Sequence, residues 1–326
     1  MISRAAAHIT FRTFVAHLPS CMAIAMTTLS VMASAPALAA EGAASDYLPG
    51  TAGDFGVALP PEPGLQIANI LWIQSGDVGR AVVGGQVDIG LDVDVVLDIV
   101  AATYTFDTSV FGGLYTVGIA VPFGYAKLDA KATGPFGGSA GFSEDSFNLS
   151  DIAVTPLQLN WSAGNFHFKL SETVIIPTGE YDVDNPVNLG RNYWSFDTLG
   201  AVTWFNAESG TEVSVAPGIM FNTENNATDY KTGTEFHVDF MASQFLAETF
   251  AVGVRGYYYQ QLTGDSGSGA VLGDFKSESF GIGPGFLWTP AAAGGKLAVV
   301  GKWMHDLHAK NRFESDYGIL TIAWQF

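Results

Sequence analysis

The final residues of the chain alternate strictly between two kinds of position. One face carries Ile319, Thr321, Ala323 and Gln325, and the other carries Leu320, Ile322, Trp324 and Phe326. A period of two residues is that of a β-strand, so the second set forms one wholly apolar face that ends in aromatic side chains. A folded protein rarely leaves such a face uncovered, and the face therefore predicts an apolar neighbour.

This apolar face resembles the C-terminal strand of bacterial outer-membrane β-barrels. In those proteins a terminal aromatic residue and outward hydrophobic side chains close the barrel and act as an assembly signal. The alternative is an ordinary buried strand of a soluble β-sandwich. The rest of the chain has to show whether lipid or a second β-sheet covers this apolar face.

The same alternation recurs along the chain after residue 63, in about twelve segments. Each is near the roughly 9–11 residues that a tilted strand needs to cross a bilayer. The segments are 65–74, 94–106, 114–127, 152–162, 166–176, 193–205, 212–222, 235–245, 249–261, 277–288, 296–305 and 317–326. We therefore predict an all-β fold, a transmembrane antiparallel up-and-down β-barrel of about twelve strands closed by a C-terminal strand that ends in Phe326.

The connections between these segments alternate in length. The short ones are 107–113, 163–165, 206–211, 246–248 and 289–295, and the longer ones are 75–93, 128–151, 177–192, 223–234, 262–276 and 306–316. Short periplasmic turns and longer external loops are typical of outer-membrane barrels with both termini inside. A soluble sandwich has no reason to sort its loops in this way, so the pattern favours the membrane.

The sixth predicted strand gives a geometric check. Trp194 and Trp204 share one face and are ten residues apart, which at about 3.3 Å per residue and a tilt of about 40° spans the roughly 25 Å between two aromatic girdles. Glu172 is an exception in the fifth strand, because it shares the face of Phe168 and Leu170. Either a bulge changes the face there, or Glu172 sits at a subunit or lipid-head boundary.

The opposite faces should line the lumen. These inward residues are Asp197 in the sixth strand, Glu235, His237 and Asp239 in the eighth, Arg255, Tyr257 and Tyr259 in the ninth, and Lys302 in the eleventh. Counting back equally from a turn centred on Ala247 places Asp239 opposite Arg255, His237 opposite Tyr257 and Glu235 opposite Tyr259. Opposite charges across neighbouring strands favour that register. These side chains are candidate substrate contacts, or ion pairs that only brace the wall.

Glycines leave one part of the predicted inner wall bare. Gly281, Gly283 and Gly285 all point inward from the tenth predicted strand. They provide room for a passage or for a plug segment, or they serve tight curvature of the sheet. A barrel of about twelve strands lies between those that side chains fill and the wide porins, so we expect a narrow bore.

The N-terminal region divides into a signal and a leader. Residues 1–39 have a basic start, an apolar core and a small-residue cleavage site, which predicts a secretory signal peptide. Residues 40–63 are small, polar and rich in proline, and form an irregular leader that is either tucked into the barrel or only a tether. The barrel then occupies residues 64–326. Cys21, the one cysteine of the sequence, lies in the signal, so the mature chain has no thiol chemistry.

Composition supports a membrane location and excludes nucleic acid. Of the 326 residues, 48% are hydrophobic and 14% are charged, against about 25% charged in soluble domains. Without Arg4 and Arg12 the chain keeps 12 basic and 32 acidic residues, a formal net charge of -20, which would repel phosphate backbones. The expected partners are outer-membrane lipid and lipopolysaccharide of a Gram-negative bacterium, the barrel assembly machinery and a small aromatic or apolar solute. Nothing implies a cofactor or a metal.

Several motifs resemble the phenol meta-pathway (MetA-like) family of outer-membrane proteins. They are Pro-Pro-Glu-Pro-Gly at 60–64, Ile-Pro-Thr-Gly-Glu-Tyr-Asp at 176–182, Asn-Leu-Gly-Arg-Asn-Tyr-Trp-Ser-Phe at 188–196, Glu-Phe-His-Val-Asp-Phe at 235–240, Gly-Tyr-Tyr-Tyr-Gln-Gln at 256–261 and Gly-Ile-Gly-Pro at 281–284. The third motif is the most specific, and it places Arg191, Asn192, Tyr193 and Trp194 at the external rim. Glu172 departs from the family, which usually has an apolar residue there.

The resemblance implies a role beside the degradation of phenol or other aromatic compounds. We expect an outer-membrane channel for diffusive uptake of small aromatic or hydrophobic molecules, and no enzyme activity. One alternative is a lipid hydrolase or acyltransferase built on His305, Asp306 and Ser315, or on His237 with Asp239 and Ser243. Another is a structural or surface barrel whose acidic loops, with Asp182, Asp184 and Asp265, bind Ca²⁺ weakly.

Overall fold

The computed structural model describes residues 41–83, 86–133, 139–271, 273 and 276–326. The predicted signal peptide at 1–39 lies outside these residues. Within the described part of the chain, no helix is long and apolar enough to cross a membrane. The described residues include two short 3₁₀ turns, at Glu41–Ala43 and Ala291–Ala293.

Thirteen strands among the described residues form one antiparallel sheet. They are β1 (Gly64–Val83), β2 (Gln86–Val110), β3 (Gly113–Thr133), β4 (Ser139–Leu149), β5 (Ile152–Ala163), β6 (Phe166–Ile176), β7 (Ser195–Asn206), β8 (Thr211–Asn222), β9 (Glu235–Ala247), β10 (Phe250–Gln261), β11 (Glu278–Trp288), β12 (Leu297–Lys310) and β13 (Glu314–Gln325).

Twelve of these strands close into a ring. Each pairs with the next around the barrel, and β13 pairs with β1, with Gln66 opposite Gln325 and Asp77 opposite Glu314. Strand β4 stands outside the ring and pairs with the second half of β3 from Phe123 to Thr133. Closure leaves no ring strand with an unpaired edge facing lipid. The predicted barrel of about twelve strands, closed by the C-terminal strand, is confirmed.

The outer wall carries the predicted apolar band. In β13 Leu320, Ile322 and Trp324 are each more than a third exposed, whereas Ile319 on the other face is 4% exposed. The same exposed apolar character recurs on the outward faces of the other ring strands. A soluble monomer does not tolerate such an extensive apolar surface, and lipid is its natural cover.

Three predicted external loops are wrong. Residues 75–93 and 306–316 belong mostly to strands, since β1 reaches Val83, β2 begins at Gln86 and only residues 311–313 separate β12 from β13. Residues 128–151 contain β4 and the end of β3. These strands continue beyond the apolar band, where water on both sides removes the need for alternating polarity. The longer loops 177–194, 223–234 and 262–277 lie at the predicted external end.

Glu172 remains on the outer face of β6. Strands β6 and β7 pair without interruption, and Glu172 Oε2 accepts a 2.6 Å hydrogen bond from Thr198 Oγ1. The bulge lies in the neighbouring β5, between Val154 and Leu157. Glu172 therefore keeps the parity that the sequence predicts and obtains a polar partner on the lipid-facing wall.

Candidate functional site: a leader-filled lumen beside an apolar cavity

The leader, residues 41–63, runs through the lumen from one end to the other. At its start, Asn225 Nδ2 of the external β8–β9 loop donates to Glu41 Oε2 at 2.9 Å. At its end, Gln325 Nε2, near the periplasmic end of β13, donates to the carbonyl oxygen of Pro63 at 3.4 Å. The leader is thus a plug segment rather than a free tether.

Tyr47 anchors the middle of the leader against the predicted ladder. Its ring stacks on His237 with centroids 4.2 Å apart and lies 5.9 Å from the ring of Tyr259. Its hydroxyl donates to Asp239 Oδ1, and Ser45 Oγ donates to Glu235 Oε2 at 3.0 Å. An aromatic ring with a satisfied hydroxyl is a strong anchor in a buried polar wall.

The wall also binds the leader backbone directly. Arg255 Nη2 donates to the carbonyl oxygens of Gly50 and Gly53 at 2.9 and 2.8 Å, and Gly53 N donates to Asp239 Oδ2 at 2.8 Å. Lys302 Nζ donates to the Gly50 carbonyl at 3.1 Å and pairs with Asp54 Oδ2 at 3.0 Å. Backbone groups that would be unsatisfied in the lumen therefore find partners on the wall.

Glycine is required where the leader meets this wall. Gly50 has a φ of +80°, and a Cβ there would lie 2.4 Å from Met304 Cε. A Cβ on Gly53 would lie 2.6 Å from the Cβ of Asp239. Both positions admit no side chain without displacement of the leader.

The leader continues down the lumen along β5, β7 and β8. Gly56 N donates to Glu212 Oε1 at 2.6 Å, and Ala58 N donates to Thr203 Oγ1 at 3.1 Å. Asn160 Nδ2 donates to the Ala58 carbonyl at 3.2 Å. Ala58 is fully buried, so this part of the leader is packed rather than solvated.

The structure places the predicted lumen residues on the inner wall but in a different register. Arg255 lies opposite Met241, Tyr257 opposite Asp239 and Tyr259 opposite His237. The turn lies at Glu248 and Thr249, after Ala247, and the bulge between Phe250 and Ala251 moves the pairing back by one residue, so the register lies two residues from the predicted one. The predicted directly opposed pairs are therefore wrong, and contacts form on the diagonal instead, with Arg255 Nη2 3.4 Å from Asp239 Oδ2 and the Tyr259 hydroxyl donating to Glu235.

We call the inner faces of β9, β10 and the middle of β12 the gripping wall. It consists of Glu235, His237, Asp239, Arg255, Tyr257, Tyr259 and Lys302, of which only Lys302 exceeds 1% exposure, at 7%. The glycines of β11 do not open a passage beside it, because a Cβ on Gly281 would lie 2.6 Å from Tyr257 Cε1 and 2.7 Å from Asp306 Oδ1. The bare wall is filled by those two side chains.

The predicted rim motif joins the external loops to each other. Arg191 N donates to Asp151 Oδ2 at 2.6 Å, and Asn192 Nδ2 donates to Asn225 Oδ1 at 2.8 Å. Tyr193 is 2% exposed, whereas Trp194 is 42% exposed. Asn192 adopts a left-handed φ of +60°, which asparagine tolerates better than most residues. The motif therefore closes the rim over the start of the leader.

Carboxyl groups at this end of the leader are strongly desolvated. Burial raises the pKa of Asp46 to about 7, even though the Arg191 charge and a hydrogen bond from Ser195 oppose the shift. Burial also raises the pKa of Glu41, against hydrogen bonds that include one from Asn225. A buried carboxyl that is costly to ionise makes the docking of the leader dependent on pH.

A cavity of about 430 Å³ remains between the leader and the other side of the barrel. We call its apolar side the open wall; it consists of Ile70, Trp72, Val95, Leu97, Ile99 and Ile175. Trp72 Nε1 donates to the Pro49 carbonyl at 3.3 Å, a hydrogen bond between the open wall and the leader. The volume and the mostly apolar lining suit a small organic solute.

Three cationic residues of the cavity lining, Lys127, Lys169 and Arg312, were not predicted as site residues. Arg312, in the turn between β12 and β13, is 7% exposed and lies over the Tyr259 ring at 4.1 Å from its centroid. Lys169 projects into the cavity from β6. The parity of β6 could have revealed Lys169, because it alternates with Phe168 and Leu170. Arg312 lay in a segment read as a loop, where parity has no meaning.

The side-chain sets proposed for hydrolysis are not assembled. His305 is half exposed and pairs with Asp316 at 3.1 Å, while its neighbour Asp306 is 1% exposed and accepts a hydrogen bond from the Tyr257 hydroxyl. Adjacent strand residues point to opposite faces, so His305 and Asp306 are separated by the wall. His237 Nε2 lies 3.0 Å from Asp197 Oδ1, and Ser243 Oγ donates to Glu212 instead.

The acidic residues suggested for Ca²⁺ have other partners. Asp265 accepts hydrogen bonds from Gly233 N at 3.0 Å and from the Tyr230 hydroxyl. Asp182 accepts one from Asp184 N at 2.9 Å. In the part of the chain that the structure describes, no group of three or more His, Cys, Asp or Glu residues is arranged to hold a metal ion.

Comparisons with known proteins agree with this architecture. A family model described as "Putative MetA-pathway of phenol degradation" matches residues 76–322, and no curated protein matches the chain. The COG4313 outer membrane channel from Pseudomonas putida F1 is 16% identical, with a TM-score of 0.67 over 84% of this chain and 100% of that chain. The translocator domain of the autotransporter NalP from Neisseria meningitidis is 10% identical, with a TM-score of 0.43 over 82% of this chain and 91% of that chain. The likeness to the first structure shows a bacterial outer-membrane β-barrel fold.

Proposed function

The chain belongs to the family of the MetA pathway of phenol degradation, and from that premise we propose that it is an outer-membrane channel for diffusive uptake of small aromatic or hydrophobic compounds. The activity we propose is transport and involves no catalytic step. The similar fold of a protein described as an outer membrane channel supports the proposal. The cargo itself is inferred from the lumen of this chain.

The observation that carries the proposal is the cavity of about 430 Å³ beside the leader. Its open wall presents Trp72, Leu97 and Ile99, each no more than 5% exposed. The lumen of a porin is lined instead by polar side chains that contact water. Apolar side chains with a few polar groups are the usual lining of a small-molecule site. A single aromatic ring fits such a surface better than a sugar or a hydrated ion does.

The leader sets the width of the proposed path. Because the gripping wall holds the leader by side-chain and backbone hydrogen bonds, solutes would move along the opposite side, between the leader and the open wall. The bore is then one-sided and narrow. A narrow apolar path admits single small solutes and excludes larger hydrated ones.

Uptake of a radiolabelled phenol or monoaromatic acid into proteoliposomes tests this function. We expect faster uptake than into protein-free liposomes, and slower uptake by a Leu97→Gln variant, because a polar amide in the open wall disfavours an apolar solute. A Lys310→Gln variant is the control, since Lys310 is exposed at the end of β12. Equal rates for wild-type proteoliposomes and empty liposomes would contradict the proposal.

A further inference from the structure

We propose that the cavity selects aromatic carboxylates, with Arg312 binding the carboxylate at the external end and Lys169 providing a second positive charge nearer the periplasm. This inference rests on the proposed uptake function and narrows it to a substrate class. Phenols and hydrocarbons have no anionic group of this kind. The evidence is which of the charged side chains that line the cavity have hydrogen-bond or ion-pair partners and which do not.

Arg312 is a buried cation with no ion pair to a carboxylate among the described residues. It is 7% exposed, and its Nη1 atom is buried without a hydrogen-bond partner among the described residues. Its guanidinium lies over the Tyr259 ring, 4.1 Å from the centroid, which holds its plane in place. A guanidinium positioned in this way presents a rigid fork that matches a carboxylate.

Lys169 is a second cation of the cavity, whose lining also includes Arg191 of the rim motif and Lys127, which pairs with Asp129 at 2.7 Å. It is the fourth residue of β6 and lies opposite Asn160 and Ala201. No ion pair within 4.0 Å joins it to a described carboxylate, although Asp197 and Asp54 are close enough to act on it electrostatically. Strand β6 starts at the periplasmic turn, whereas Arg312 comes from the external turn after β12. The two charges therefore mark different depths of the same cavity.

The acidic side chains of the lining already have hydrogen-bond donors. Asp46 accepts from Ser195 Oγ, and Asp151 accepts from two backbone N–H groups. Glu41 accepts from Asn225, and Asp197 Oδ1 is paired with His237. Each of these carboxyl groups has at least one donor, although Glu41 Oε1 is buried without a partner among the described residues, whereas neither Arg312 nor Lys169 has a described carboxylate within 4.0 Å.

Two further carboxylates, Asp306 and Glu235, interact electrostatically with Arg312, and both accept hydrogen bonds from tyrosines. Asp306 accepts from the hydroxyls of Tyr257 and Tyr317 and from Ser315 N at 3.0 Å. Glu235 accepts from the Tyr259 hydroxyl. Neither carboxylate lies within 4.0 Å of a nitrogen of Arg312, so the guanidinium keeps its capacity for a mobile anion while its charge stays balanced at longer range.

The apolar part of the lining supplies the rest of the selectivity. Phe313 follows Arg312 directly and lines the same cavity, and Trp72 and Leu97 lie on the open wall. A ligand that places a carboxylate on Arg312 can pack an aromatic ring against these side chains. Arg312 and Lys169 lie at two successive depths of the cavity. An anionic solute that binds each of them only moderately tightly can enter the cavity and still leave it.

Binding and uptake of benzoate and its neutral isostere benzamide test the inference on the full barrel. By calorimetry we expect wild-type protein to bind benzoate about 10-fold or more tighter than benzamide, as charge-assisted hydrogen bonds predict. Arg312→Gln should abolish that preference, Arg312→Lys should keep part of it, and Lys310→Gln at the same turn should leave it unchanged. Lys169→Gln should slow benzoate uptake into proteoliposomes without slowing benzamide uptake.

The result that overturns the inference is equal binding of benzoate and benzamide by wild-type protein, or a preference that survives in Arg312→Gln. Circular dichroism and gel mobility report whether each variant is folded, and Arg312→Lys gives the answer if Arg312→Gln does not fold. Uptake of both compounds at equal rates above empty liposomes would overturn carboxylate selection alone. Uptake of neither above empty liposomes would overturn the proposed function itself.

Discussion

The two sides of the lumen are built from strands with the same alternation of inward and outward residues, but they have different roles. On the gripping wall, Asp239 and Arg255 hydrogen-bond to the leader, although Arg255 Nε and Nη1 and His237 Nδ1 are buried without a partner among the described residues. The open wall presents Trp72 and Leu97 and leaves a cavity of about 430 Å³. Inward parity therefore fixes only where a side chain points. Whether the lumen is filled or left open depends on the chemistry of the inward residues.

The largest effect should come from breaking the gripping wall at its centre. Arg255→Met removes the donor to two leader carbonyls and leaves Asp239 buried without its cation, which costs about 3–5 kcal/mol for a broken buried pair. We expect a lower free energy of unfolding in urea and faster proteolysis of the leader. Leu97→Met on the open wall is the control, and equal losses in both variants would contradict the asymmetry.

A smaller effect should follow from pushing the leader away without removing a charge. Gly53→Val places a side chain where a Cβ already lies 2.6 Å from the Cβ of Asp239, and overpacking of this kind costs about 1–3 kcal/mol. We expect a larger and noisier single-channel current, because the leader leaves the wall.

Gly200→Val is the matched control for that experiment. Gly200 lies on β7, and no atom lies within 4 Å of a Cβ built there. Its current should equal that of the wild type. An unchanged current in Gly53→Val would show that the leader is not fixed at Gly53.

The docking of the leader at its external end should depend on pH. Burial raises the pKa of Asp46 from 3.8 to about 7 when the leader is docked, so the docked state binds a proton more tightly than the released state. Docking is then strongest below about pH 4, weakens as the pH rises from about 4 to about 7, and changes little above that. We expect faster proteolysis of the leader at about pH 7.5 than at about pH 5.

Asp46→Asn should remove most of this pH dependence. An amide at position 46 can still accept the hydrogen bond from Ser195 but cannot ionise. Proteolysis rates at the two pH values should converge in the variant. If the variant keeps the wild-type difference, another group is responsible.

The barrel could be predicted from the sequence because its signal is local. Each strand repeats the alternation, and the outward positions of β13 are confirmed down to Trp324. The register between β9 and β10 could not be predicted, because neither the position of the turn at Glu248 and Thr249 nor the bulge between Phe250 and Ala251 leaves a mark in composition. The first strands were also underestimated in length, since their ends lie beyond the apolar band.

The sequence predicted which residues point into the lumen better than it predicted what those residues bind. Parity identified Asp239 and Arg255 as inward, but their main partner is the leader, about two hundred residues away in sequence for Arg255. No short-range pattern connects Tyr47 to His237. Arg312 was missed for a related reason, because a turn residue reaches the lumen only through the folded shape of the barrel.

The measurement that tests the central claim most directly is the block of single-channel current by a charged methanethiosulfonate reagent. The predicted mature chain has no cysteine, so Leu97→Cys on the open wall and Met241→Cys on the inner face of β9 each provide one thiol. Both side chains are nearly buried, at 5% and 2% exposed. We predict block in Leu97→Cys and none in Met241→Cys, because solutes pass beside the open wall while the leader covers the other side. Block in Met241→Cys with none in Leu97→Cys would contradict the account.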